Sequence, residues 1–179
     1  MRQTVLGRFL WSWRRVFIGS CAVMISAVSA EAEGLSSFGA ARLSGIRVDV
    51  GPLLAQGGGV PAEALRGDLL SALNNAFADK LGGAGPVLVI RIKSLSLRPY
   101  TGSEGGGRSG FGGGSPSDYL DGEALLVGRR GEVLARHPQL SALPSSSGGA
   151  WYDPDSERRR VAAIAQHYAG WLRRAFPSD

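Results

Sequence analysis

Apolar and polar side chains alternate through Ile46-Arg47-Val48-Asp49-Val50, the two-residue period of a strand with one buried face. "GPLLAQGGGV" interrupts that pattern, and Pro61 suits the first turn of a helix, where its missing N–H has no intrahelical partner. At about 100° per residue Leu65, Leu69, Leu73 and Ala76 share one stripe, flanked by Leu70 and Phe77. Asp68, Ser71, Asn75 and Asp79 lie opposite. Gly82-Gly83 predicts a helix end near Leu81. "PVLVIRIKSLSLRPY" opens as a continuous apolar run and continues as an alternation, which predicts a central strand whose far end emerges into solvent. Residues 101–117 form a glycine-rich, low-complexity loop. "DYLDGEALLVGRRGEVLARHPQLSALP" then reads as a hairpin turning near Arg130-Gly131.

The last element has the clearest pattern. Val161, Ile164, Ala165, Tyr168, Trp171, Leu172 and Ala175 form a continuous apolar face, and Arg159, Arg160, Gln166, His167, Arg173 and Arg174 form the polar one. Asp153, Asp155 or Ser156 is placed to accept from the first free N–H groups of this helix, and Pro177 is placed to stop it. The order β-α-β-β-β-α predicts an α+β fold, a two-layer sandwich of two amphipathic helices on a mainly antiparallel sheet. It occupies residues 45–177 as one domain, after a lead-in at 31–44 without periodicity.

Residues 1–30 have a different pattern. Val16 to Ala30 carry no charge and follow Arg2, Arg8, Arg14 and Arg15. As a helix this run reaches only about 22 Å, short of the roughly 30 Å hydrocarbon core, so no permanent membrane span is expected. Basic start, short apolar run and the small residues Val28-Ser29-Ala30 predict a cleavable export signal cut after Ala30. Arg14-Arg15-Val16-Phe17-Ile18 resembles the twin-arginine translocation signal, with Trp13 where a polar residue is usual. An ordinary general-secretion signal fits the same stretch. Cys21 in "FIGSC" loosely resembles a lipobox, but only Val16 to Ser20 separate it from the arginines.

Cleavage changes the charge. The chain has 20 basic and 15 acidic side chains, and the signal holds four arginines and no acid. The 149 residues left carry 16 basic against 15 acidic groups, which removes composition as an argument for nucleic acid. Cys21 is the only cysteine, so a mature chain has no disulfide, thiolate nucleophile or cysteine metal site.

Several strings match chemical motifs without their context. Gly105, Gly107 and Gly110 satisfy G-x-G-x-x-G but lie between two predicted strands, where no helix N-terminus meets a phosphate. Asp153-x-Asp155-x-Glu157 starts like a calcium loop, but Arg158 and Ile164 stand at the glycine and bidentate-acid positions. Asp118, Asp121 and Glu123 read as solvated strand-edge groups. His137 and His167, the only histidines, fit no metal spacing, and no G-x-S-x-G elbow accompanies them. No cofactor or metal is called for.

One feature points to a partner. Arg159, Arg160, Arg173 and Arg174, with His167 between them, have no acid on their own helix face, and guanidinium groups chelate phosphate or carboxylate. A solvated polar face explains the same pattern. The element order from Ile46 to Phe176, through "IRVDV", "LLSALNNAF", "VLVIRI", "GRRGEVLA" and "AAIAQHYAGWLRRAF", resembles small bacterial envelope domains of the lipopolysaccharide-assembly lipoprotein and ABC-transport auxiliary lipoprotein type. That resemblance implies a non-catalytic periplasmic accessory protein, with an envelope protein or an anionic lipid such as lipopolysaccharide as partner. The competing expectations are a small periplasmic hydrolase with a Ser/His/Asp site and a structural protein without a small ligand.

Overall fold

The computed structural model describes residues 42–99, 116–150 and 152–176. The expected export signal at 1–30, the lead-in as far as Ala41, the expected glycine-rich loop as far as position 115 and the helix stop expected at Pro177 lie outside the described residues, and Ser117, expected in that loop, begins a strand. Strand β1 (Gly45–Asp49) leads into a short helix α1 (Gly51–Ala55) and a long one, α2 (Gly59–Ala76). Strand β2 (Val87–Ser96) follows, then the hairpin β3 (Ser117–Val127) and β4 (Val133–Pro144), and helix α3 (Ser156–Ala175). The four strands form one sheet in the order β1-β2-β3-β4, with β1 parallel to β2 and the other two pairs antiparallel. This is the α+β fold expected from the sequence.

Strand alternation allots the two faces. Leu88, Ile90 and Ile92 of β2 and Leu120, Ala124 and Leu126 of β3 are fully buried and pack with Leu65, Leu69 and Leu73 of α2 and Ile164, Ala165, Tyr168 and Leu172 of α3. Gly122 sits on the same face at a close approach, since a Cβ there would meet the Arg91 carbonyl at 2.8 Å and the Tyr168 hydroxyl at 3.0 Å. A bulge between Ile92 and Ser94 inserts Lys93 opposite Gly122, so that Leu95 returns to the core side. The β3–β4 turn closes through Gly128 N–H to the Glu132 carbonyl at 2.8 Å, and Gly131 there has the positive φ of 86° that glycine tolerates.

Four local expectations need correction. The interruption after β1 contains α1, held by the Asp49 Oδ1 that accepts from the Gly51 N–H at 2.9 Å and by buried Leu53. Five residues are too short for helical periodicity to show. The second helix stops at Ala76 rather than near Leu81, because buried Phe77 starts a tighter 3-10 turn, Ala78–Lys80. That turn sets the Lys80 carbonyl beside the Leu43 N–H at 2.7 Å. At the start of α3, Asp155 holds the N-cap position without a side-chain cap bond, and Asp153 accepts from the Asp155 N–H and pairs with Arg159 at 2.7 Å instead. The hydrogen bond from Arg159 is the main reason the Asp153 carboxyl sits below the usual aspartate range.

Asp118 and Glu123 are not solvated edge groups: β3 is a central strand and both are buried. Glu123 lies on the sheet face away from the helices, with Arg136 at 2.8 Å, Lys93 at 3.7 Å and Arg91 at 3.9 Å. Arg91 also pairs with Asp49 at 3.1 Å. Three cations around one carboxylate make its burial tolerable.

Candidate functional site

Helix α3 carries all five residues predicted to meet an anionic partner, and the structure divides them. Arg160 is 3% exposed and turns inward to Asp118, donating through Nε at 2.7 Å and through Nη2 to the other carboxylate oxygen. Its Nη2 also reaches the Arg98 carbonyl at 2.6 Å. Asp118 further accepts from the Arg98 N–H at 3.0 Å and the Ser145 hydroxyl at 3.1 Å. The end of β2, the start of β3, the end of β4 and the start of α3 are thus tied at one buried point. Arg159 donates to the Gly148 carbonyl at 2.8 Å and pairs with Asp153. Arg173 pairs with Asp79 at 2.9 Å and lies 5.7 Å from the Phe77 ring centre.

The absence of an acid on the helix face is therefore no sign of free arginines, because neighbouring elements supply the acids. Arg174 differs. Its guanidinium lies 4.7 Å from the Trp171 ring centre, a cation–π stack, and no carboxylate among the described residues is within ion-pair distance.

Arg174 stands at the rim of an open groove of about 610 Å³ between α3 and the edge strand β4. Strand β4 contributes His137, Gln139, Leu140, Ser141 and Ala142, and α3 contributes His167, Trp171, Arg174 and Ala175. The lining is mainly apolar, includes no carboxylate among the described residues and is within the size range of small-ligand sites. Both histidines face this groove, although they are 30 positions apart in sequence. The stripe behind this is legible in retrospect: at about 100° per residue Arg160, His167, Trp171 and Arg174 fall within roughly 60° of one another. Arg159 and Arg173 fall outside that stripe, about 60° and 100° beyond Arg174. The single polar face expected from the sequence is thus two stripes, and Trp171, expected on the apolar face, is 51% exposed. Leu140 and Gln139 gave no sequence signal.

The polar chemistry of the groove is specific. Trp171 Nε1 donates to His167 Nε2 at 2.9 Å, with the rings edge to face at 6.1 Å. The imidazole proton is then assigned to Nδ1, a buried atom with no partner among the described residues. Gln139 Nε2 donates to the Tyr168 carbonyl at 2.9 Å and lies 3.4 Å from Ser141 Oγ, fixing β4 to the middle of α3. His137 and Ser141 both point to the helix side of β4, opposite Ala124 and Leu120. Four residues of strand hold them about 13 Å apart. Among the described lining residues no acid stands by to orient either imidazole, and the Nε2 lone pair of His167 accepts from Trp171.

Tyr168 lies under this groove with its hydroxyl buried and unpartnered among the described residues. Burial, with the charges of Asp121 and Glu123 added, pushes its phenol well above the ordinary value of 10.0. It stays neutral through the physiological range and serves the core as a large apolar wedge.

No family model and no curated protein matches the chain. Among solved structures, a minor lipoprotein from Acinetobacter baumannii is similar at 11% identity, over 76% of this chain and 92% of that one, with a TM-score of 0.40. A superposition that loose carries no functional information.

Proposed function

We propose that the chain is a non-catalytic binding or assembly accessory protein of the bacterial cell envelope, exported to the periplasm by the twin-arginine route, and that its partner binds in the groove between α3 and β4. The observation that carries the binding region is the Arg174–Trp171 stack at the rim of an apolar groove that holds no acid among the described residues. An exposed aromatic anchor beside a cation without a carboxylate partner among the described residues suits a ligand that is apolar along its length and anionic at one point. Export rests on the pattern of residues 1–30, and among the described residues no helix is long and apolar enough to cross a membrane. The other four candidate residues belong to this reading in a reduced role: Arg159, Arg160 and Arg173 hold α3 in place, and His167 orients Trp171.

The test is photo-crosslinking in a Gram-negative host that makes the full chain with a photoreactive amino acid at Trp171, Leu140 or, as control, Arg130 in the hairpin turn. Products are expected from the two groove positions in the periplasmic or membrane fraction and not from Arg130. Products independent of position, or none in the envelope fractions, would overturn the reading. Arg14→Lys with Arg15→Lys is expected to retain the protein in the cytoplasm, which checks the export route separately.

A further inference from the structure

The sheet ends at β4, and among the described residues no strand pairs with its outer edge. The register identifies which backbone groups are open. Pro138 stands opposite Glu123 and has no N–H to give to β3, so this is one of the wide, non-hydrogen-bonded pairs of the ladder. Alternation then turns the N–H and C=O groups of Leu140 and Ala142, and the Pro138 carbonyl, away from β3 toward the open edge. All three residues are exposed, Leu140 at 65%. The groove touches Gln139, Leu140, Ser141 and Ala142 in succession. Successive strand residues point to opposite faces, so a cavity touching four in a row runs along the strand edge rather than under one face.

We infer that this edge takes an extended segment of another protein, with alternating apolar residues and at least one carboxylate, as a fifth strand of the sheet. The inference rests on the groove being the binding region and specifies what fills it. Backbone pairing to Leu140 and Ala142 supplies affinity, and alternate side chains of the incoming strand enter beneath Trp171 and Ala175. A carboxylate on one of them meets Arg174. Charge separates this occupant from a second copy of the chain. Two copies joined along β4 would bring together two linings that are cationic and, among the described residues, without an acid, whereas an acidic segment complements them. Pro138 limits the edge that can pair with both backbone groups, which restrains indiscriminate sheet growth.

The experiment is selection of a phage-displayed random dodecapeptide library on the immobilised full chain. Enriched sequences are then made as labelled peptides and titrated by fluorescence anisotropy. Enrichment is expected for apolar residues at alternate positions with at least one Asp or Glu. Leu140→Pro removes an outward N–H without touching the β3 ladder and is expected to weaken these peptides about tenfold, as is N-methylation of the paired peptide nitrogens. Arg174→Glu is expected to weaken them at least tenfold, and Leu140→Ala much less. Should Leu140→Pro fail to fold by circular dichroism, the N-methylated peptides carry the same comparison. Peptides that bind Leu140→Pro, or bind when N-methylated, as tightly as the unmodified pair overturn the strand inference. So does a library that yields no binder while dodecyl phosphate binds in an Arg174-dependent way, a result that leaves the groove reading standing. Failure of both peptide and dodecyl phosphate to bind overturns the two together.

Discussion

The two halves of α3 use similar residues for different ends. In the first half Arg159 and Arg160 are taken up by the protein itself, one on Gly148 and Asp153, the other on Asp118 and the Arg98 carbonyl. In the second half His167, Trp171 and Arg174 bond or stack with one another and leave their surface to the groove. The difference lies in the sheet beneath. The first half meets β3, a central strand that presents a buried carboxylate, and the second overhangs β4, an edge strand that presents none. What an arginine does on an amphipathic helix is decided by the groups that other elements set opposite it.

The largest test of this contrast is at Arg160. Arg160→Ala leaves Asp118 buried without its cation and is expected to cost about 3–5 kcal/mol in urea unfolding. Should that variant not fold, the double change Asp118→Leu with Arg160→Met is expected to recover most of the stability, since a buried pair often gains little over apolar residues of similar volume. A cost below about 1 kcal/mol for Arg160→Ala, the level of a surface pair, would erase the difference between the halves. Next comes Gly148→Ala, whose Cβ would meet the Ser156 carbonyl at 2.3 Å and Arg160 Cγ at 2.5 Å. Overpacking of that kind is expected to cost about 1–3 kcal/mol, and more slowly exchanging Arg98 amide protons in the variant than in the parent would contradict it.

These two sites also mark where sequence reading stopped. The strands, both long helices and the hairpin turn were legible because Leu65, Leu69 and Leu73, or Leu88, Ile90 and Ile92, repeat with the period of their element. Arg160 was not, because a period assigns residues to faces, and a long side chain at the border of a face can turn inward to a carboxylate 42 positions away. The groove was half legible. Its α3 side is a stripe of the helix, but its β4 side depends on β4 being an edge, which only the strand order reveals. Burial of Asp118 and Glu123 was hidden for the same reason, since neighbours in sequence give no hint of which strand is central.

Between the halves, Tyr168 offers a smaller effect with a sign of its own. Its hydroxyl is buried without a partner among the described residues, so Tyr168→Phe is expected to leave stability unchanged or raise it by about 1 kcal/mol. The folded-state phenol is raised above its unfolded value of about 10. The stabilisation it gives relative to an ionised chain is therefore complete below pH 10. As pH rises further the unfolded state loses its proton first, and stability falls by up to about 1.4 kcal/mol per pH unit. Urea midpoints measured from pH 9 upward are expected to fall less steeply in Tyr168→Phe than in the parent. Identical slopes would mean that the phenol ionises as readily in the folded as in the unfolded chain, against its burial.

The smallest effects on stability belong to the second half, and there the order of effects on binding should invert. Arg173 is held by Asp79 and the Phe77 ring, so Arg173→Ala is expected to cost up to about 1 kcal/mol, the level of partly exposed pairs. Arg174→Ala removes a side chain whose described contact is the exposed Trp171 ring and is expected to change stability by no more than about 0.5 kcal/mol. In the groove the ranking is expected to reverse, because Arg174 lines it and Arg173 faces Asp79. Titration of an anionic apolar probe such as anilinonaphthalene sulfonate, followed by quenching of tryptophan emission, is expected to weaken about fivefold in Arg174→Ala and to be unchanged in Arg173→Ala. Equal losses would show that charge on α3 acts at a distance rather than through one guanidinium at the rim. Measuring the three arginine substitutions together, Arg160 and Arg173 for stability against Arg174 for binding, separates the arginines that hold the helix from the one proposed to meet a partner.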